Sequence, residues 1–83
     1  MKSFFGVLQV NAEYEKLVGS RIRHYRELRQ LTQEQLSAQL QTLGCDITRS
    51  ALAKIEVGQR HIYVDEVHLL KELLHVNYED LFE

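Results

Sequence analysis

The chain has 83 residues, 45% of them apolar, with one cysteine, no proline and a formal net charge of −2. That length suits one compact domain with a modest core and argues against a separate catalytic or ligand-sensing domain. The lone Cys45 cannot form an intramolecular disulfide and has no CxxC partner, so it is expected to be a reduced thiol in a half-buried loop of a cytoplasmic protein.

No apolar run approaches the ~18 to 20 residues needed to span a bilayer. The opening MKSFFGVLQV is short of a signal peptide: Gln9 interrupts its apolar stretch, and Glu13 and Glu15 follow. Charge is unevenly distributed. Residues 21–60 carry seven Arg and Lys against four acids, whereas residues 61–83 carry only Lys71 against six. Such a division can present one basic face to an anion while the rest of the surface stays acidic and soluble.

Residues 1–12 read as an extension, in which Val7, Leu8 and Val10 suit a short strand or an arm that pairs with a second subunit. Residues 13–83 read as the folded domain, helical throughout. Tyr14, Leu17, Val18, Ile22, Tyr25 and Leu28 recur at helical spacing and predict a first helix from about Glu13 to Arg29, which Gly19 and Ser20 could interrupt. Thr32 followed by Gln35 is a capping box for a second helix over about 33–43, with Leu36, Leu40 and Leu43 turned inward and a stop near Gly44. Thr48 caps a third helix over about 49–57, which Gly58 ends in a left-handed conformation. Val64 to Val76 predicts a fourth, burying Val67, Leu70, Leu73 and Leu74, and Asn77 caps a last short turn carrying Tyr78, Leu81 and Phe82.

Two short helices in succession suggest a helix-turn-helix, whose second helix enters the DNA major groove. In the third helix Ala51, Leu52 and Ile55 would hold the core, leaving Arg49, Ser50 and Lys54 free to reach bases and phosphates. Glu56 falls on the apolar side, where a carboxylate needs a cation.

The segment IRHYRELRQLTQEQLSAQL followed by ITRSALAKIEVGQR resembles the phage-repressor-like, or XRE-type, helix-turn-helix family, and the likeness extends through KELLHVNYEDLF, from about Leu17 to Phe82. The resemblance implies an all-α, compact five-helix, lambda-repressor-like domain that binds operator DNA as a homodimer and controls transcription, as a repressor. It pairs Arg26, seven residues before the helix-2 Gln, with Glu56, and helical geometry independently sets Arg26 on the flank of the first helix's apolar face. It also implies that Gln33 meets a phosphate and that Arg49, Ser50 and Lys54 read bases, with Arg49 suited to a bidentate contact with guanine. Arg60, in the loop after Gly58, is expected at a phosphate. Relative to the shortest family members, about five residues around QTLGCD lengthen helix 2 and its turn, with Ile47 expected in the core; the insertion could shift the recognition helix by a residue.

His61, His68 and His75 lie seven apart, not at the i, i+4 spacing of a helical ligand pair, so no metal or cofactor is expected. With no nucleophile elbow, phosphate-cradling loop or carboxylate dyad, neither are catalytic residues. The competing reading is a protein-interaction module of the same fold that holds a protein partner, such as a toxin or a larger assembly, through helix 3 or the apolar ends.

Overall fold

A computed structural model describes the backbone of residues 4–83 and the side chains of residues 13–83. The order is α1 (Phe4–Leu28), α2 (Gln33–Thr42), α3 (Arg49–Glu56), α4 (Val64–Leu74) and α5 (Tyr78–Phe82), with no strand among the described residues. The backbone at Val7, Leu8 and Val10 is therefore helical rather than extended. Nothing in FFGVLQVNAE breaks a helix except Gly6, and α1 runs through position 13 without interruption. The side chains of residues 4–12, and the pairing expected of them, lie outside the described residues.

α1 also passes through Gly19 and Ser20 unbroken. Gly19 is a packing residue: a Cβ built there would lie 2.1 Å from the Ile55 carbonyl oxygen, so its absence lets α1 cross α3 at backbone distance. Ser20 returns its hydroxyl to the Leu17 carbonyl at 2.7 Å. Val18 and Ile22 of α1 join Leu36 and Leu40 of α2, Ile47 of the α2–α3 turn, Leu52 and Ile55 of α3, Val67, Leu70 and Leu74 of α4 and Leu81 of α5 in one buried core.

Helix starts follow local chemistry. Thr32 accepts from the Gln35 N–H at 3.0 Å while the Gln35 side chain accepts from the Thr32 N–H at 2.9 Å, completing the capping box. Thr48 accepts from the Ala51 N–H at 3.1 Å. Asn77 starts α5 differently: its own side chain makes no capping bond, and its N–H donates to the Asp80 carboxylate at 2.8 Å.

Helix ends are partly unexpected. Gly44 and Gly58 are left-handed, but so are Gln30 (φ 60) and His75 (φ 57), each closing a helix with a side chain that gains nothing from that conformation. The left-handed His75 stops α4 at Leu74, two residues before Val76. Leu43 is 51% exposed rather than inward, because it falls at the α2 C-cap where the chain turns away. Leu73 is only half-buried.

Ile47 seats the long α2–α3 turn. It is fully buried, and its carbonyl accepts from the Ser37 hydroxyl at 2.7 Å and from the Gln41 amide at 3.2 Å. Two long-range arginine caps close the molecule. Arg29 donates to the Leu74 carbonyl (2.8 Å) and the His75 carbonyl (3.2 Å) at the end of α4, and Arg21 donates to the carbonyls of Asp80 (3.0 Å) and Glu83 around α5.

Candidate nucleic-acid interface

α3 divides cleanly between its two sides. Leu52, Ile55 and Glu56 are buried, whereas Arg49, Ser50 and Lys54 are exposed. Thr48 takes an extended conformation (φ −74, ψ 167) and directs the chain into α3 with Arg49 as its first residue. The first N–H groups of a helix have no intrahelical acceptor, so this end is also a place of positive partial charge.

Beneath that face sits the ion pair that orients it. Arg26 Nε lies 2.7 Å from Glu56 Oε2 and Arg26 Nη2 3.0 Å from Glu56 Oε1, a two-pronged contact between side chains that are 9% and 1% exposed. Arg26 Nη1 donates to the Leu31 carbonyl at 2.9 Å. The carboxylate also accepts from Gln33 Nε2 at 3.0 Å. The hydrogen bond from Arg26 to Glu56 outweighs desolvation and holds the guanidinium pKa above its ordinary value. One buried carboxylate thus joins α1, the first residue of α2 and the last residue of α3.

Gln33 is consequently not a free surface amide. One of its two N–H groups belongs to Glu56, and only the second is left for an outside acceptor. It lines an open hollow with Arg49, Gln30 and Thr32, and with Glu27 and Glu34, two carboxylates that oppose an anion there. Gln30 and Thr32 are additions to the set of polar groups beside Arg49. A left-handed Gln30 carries no sequence signal, since glycine or asparagine is the usual residue at such a position.

Arg60 is differently placed from what a phosphate contact needs. Its guanidinium is paired two-pronged with Glu66 at 2.9 and 3.1 Å, donates to the His61 carbonyl at 2.9 Å and lies 5.9 Å from the centre of the Tyr63 ring. Its charge is compensated within the α3–α4 loop, which this cluster shapes. The hydrogen bond to Glu66, stronger here than desolvation, raises the Arg60 pKa. On Glu66, burial pushes the carboxyl up, but the bonds from Arg60 and the Tyr63 N–H together leave it below the ordinary value.

The same accounting applies to the whole basic segment. Arg21 and Arg29 cap helices, Arg23 pairs with Glu27 at 3.4 Å, Arg26 with Glu56 and Arg60 with Glu66. Among the described residues of this segment, Arg49 and Lys54 are the cations without an intramolecular partner, and both stand on the exposed side of α3. The histidines are dispersed: His61 contacts Glu15 at 2.7 Å, His68 contacts the Tyr78 hydroxyl at 2.9 Å, and His75 closes α4.

Two short helices joined by the turn that Ile47 anchors in the core, the second showing a polar face above an interhelical ion pair, define a helix-turn-helix DNA-binding domain. The profile of the helix-turn-helix family matches residues 22–81, more than two thirds of the chain, and the protein belongs to the XRE-type branch of that family, with its lambda-repressor-like all-α fold. No curated protein and no solved structure matches the chain. Among the described residues no helix is long and apolar enough to cross a membrane.

Proposed function

We propose that the protein is a sequence-specific transcriptional regulator, a repressor that binds operator DNA as a homodimer. The exposed side of α3 carries the reading: it is where both unpartnered cations of the basic segment stand, at the first and sixth positions of a helix whose other side is locked into the core. Arg49 and Ser50, in the first turn, and Lys54, one turn on, are the residues for base edges, with Arg49 donating to a guanine. Gln33 offers its remaining N–H, together with the N–H groups that open α2, to a phosphate. Arg60 acts by shaping the loop after α3, and a phosphate would have to compete with Glu66 for its guanidinium.

Selection of duplexes from a random DNA pool tests this reading, run with the wild-type chain and with Arg49→Ala. Enrichment of a palindromic motif, with one base preference relaxed in the variant by ~1 to 3 kcal/mol, is the expected result. No enriched motif, with weak low-salt binding indifferent to Arg49, would sink it and leave the protein-interaction module as the better reading.

A further inference from the structure

α1 ends on a residue that its backbone position disfavours. The Gln30 N–H donates to the Glu27 carbonyl at 2.9 Å and the Leu31 N–H to the Arg26 carbonyl at 3.0 Å, the paired closure that sets one left-handed residue after a helix. Glycine takes that place freely, whereas Gln30 holds φ 60 against the crowding of its own Cβ. No bond inside the domain offsets that strain. Among the described residues the side-chain hydrogen bonds nearby run between Thr32 and Gln35 and from Gln33 to Glu56, and the exposed Gln30 amide takes part in neither. Nor is the turn loose: the Leu31 carbonyl accepts from Arg26 Nη1 at 2.9 Å, which ties the residue after Gln30 to the guanidinium that holds Glu56. Gln30 is thus presented from a fixed turn beside the hollow it lines with Gln33 and Arg49. The charged lining of that hollow balances, Arg26 and Arg49 against Glu27 and Glu34. A phosphate there is drawn by no net charge and has to be held by neutral donors, of which the Gln30 amide has two and the Gln33 amide one to spare.

We infer that Gln30 is a DNA-contact residue, whose amide, with the remaining N–H of Gln33, holds one backbone phosphate beside the bases that Arg49 reads. The contact rests on the DNA-binding reading and adds to it a residue outside both helices of the motif. A neutral clamp of this kind raises affinity without raising salt dependence, because it displaces no counterion. It also acts alike on every sequence, because a phosphate carries no base identity. The left-handed glutamine then exchanges some stability at the end of α1 for a hold on DNA, as strained residues at functional sites do.

Fluorescence anisotropy on the full chain tests the contact, with the duplex that the wild type enriches, a one-base variant of that duplex and a salt series. The proteins are the wild type, Gln30→Gly and Gln30→Lys. Gln30→Gly keeps the turn, since glycine is the residue this conformation favours, so loss of the fold does not obscure the result. It is expected to bind about three- to tenfold more weakly, the worth of a neutral hydrogen bond. The factor should be the same on both duplexes and the salt slope unchanged. Gln30→Lys sets a cation at the same phosphate and should steepen the slope by about 0.9 per copy. Full affinity in Gln30→Gly overturns the contact, as does a wild-type slope in Gln30→Lys. A loss confined to one duplex would make Gln30 a base reader, and a loss with a shallower slope would mean a displaced cation; either overturns the phosphate contact. In all four cases the enriched motif leaves the regulator reading standing. A wild type that enriches no motif sinks that reading, and the contact with it.

Discussion

Glu56 shows how a single carboxylate can organise a surface it does not reach. It is 1% exposed and satisfied by Arg26 and Gln33, so cutting it to alanine strands the Arg26 guanidinium in the core. Glu56→Ala should lose ~3 to 5 kcal/mol in urea unfolding, and the double change Arg26→Met with Glu56→Leu should lose clearly less, because no buried charge is left unpaired. At the α3–α4 loop the relevant carboxyl is Glu66. Because its folded pKa lies below the ordinary 4.5, it contributes stability above that value and loses it as pH falls through the lowered folded value. An acid titration of the unfolding midpoint should therefore show a component that Glu66→Gln removes. Cys45 is the opposite case: burial, reinforced by Glu66 and Asp65, pushes its thiol up. Alkylation at neutral pH should proceed more slowly than for a free thiol, and a faster reaction would contradict its half-buried setting.

Helices here are held together by how closely their backbones approach and by how they end. Gly19→Ala places a methyl group 2.1 Å from the Ile55 carbonyl, a backbone atom that cannot swing aside. The expected cost is ~3 kcal/mol, with α3 displaced from α1, visible as a lower melting temperature and as shifted α3 resonances. Left-handed Gln30 and His75 invite the contrary change. Each costs ~1 kcal/mol or more relative to glycine at the same φ, so Gln30→Gly and His75→Gly should each raise stability by about that amount. A loss instead would mean that the side chains contribute more than the backbone strain removes.

Across the whole molecule, an acidic protein with few unpartnered cations constrains how DNA can be bound. If Arg49 and Lys54, while reaching base edges, each also displace one counterion from the adjoining phosphates, the slope of log affinity against log salt should be near about −1.8 for one copy on a half-site and about −3.6 for two copies on a full site. Lys54→Ala should reduce the slope by roughly 1 per copy, measured by fluorescence anisotropy. A much steeper wild-type slope would mean that Arg60 or Arg23 leaves its carboxylate on binding DNA.

Local order was legible from residues that act over three or four positions. Thr32 with Gln35, Thr48, Gly44 and Gly58 set helix starts and stops by bonds within a turn, and apolar spacing along the chain marked most of the core. The family motif carried the fold, and the alternation along RSALAKIE assigned one side of α3 to the interior and the other to solvent. What tertiary structure alone decided was which charges remain available. Arg29 caps a helix 45 residues away and Arg21 one 59 away, Gln33 spends half its amide on Glu56, and Arg60 is claimed by Glu66. No spacing rule reaches those distances, because whether a cation is free depends on which carbonyl or carboxylate the packed helices bring beside it. The same packing left Leu43 in solvent and required Gly19 to have no side chain. The sequence by itself determined five helices and a two-sided α3; the approach of α1 to α3, α4 and α5 decided that its basic segment narrows to Arg49 and Lys54.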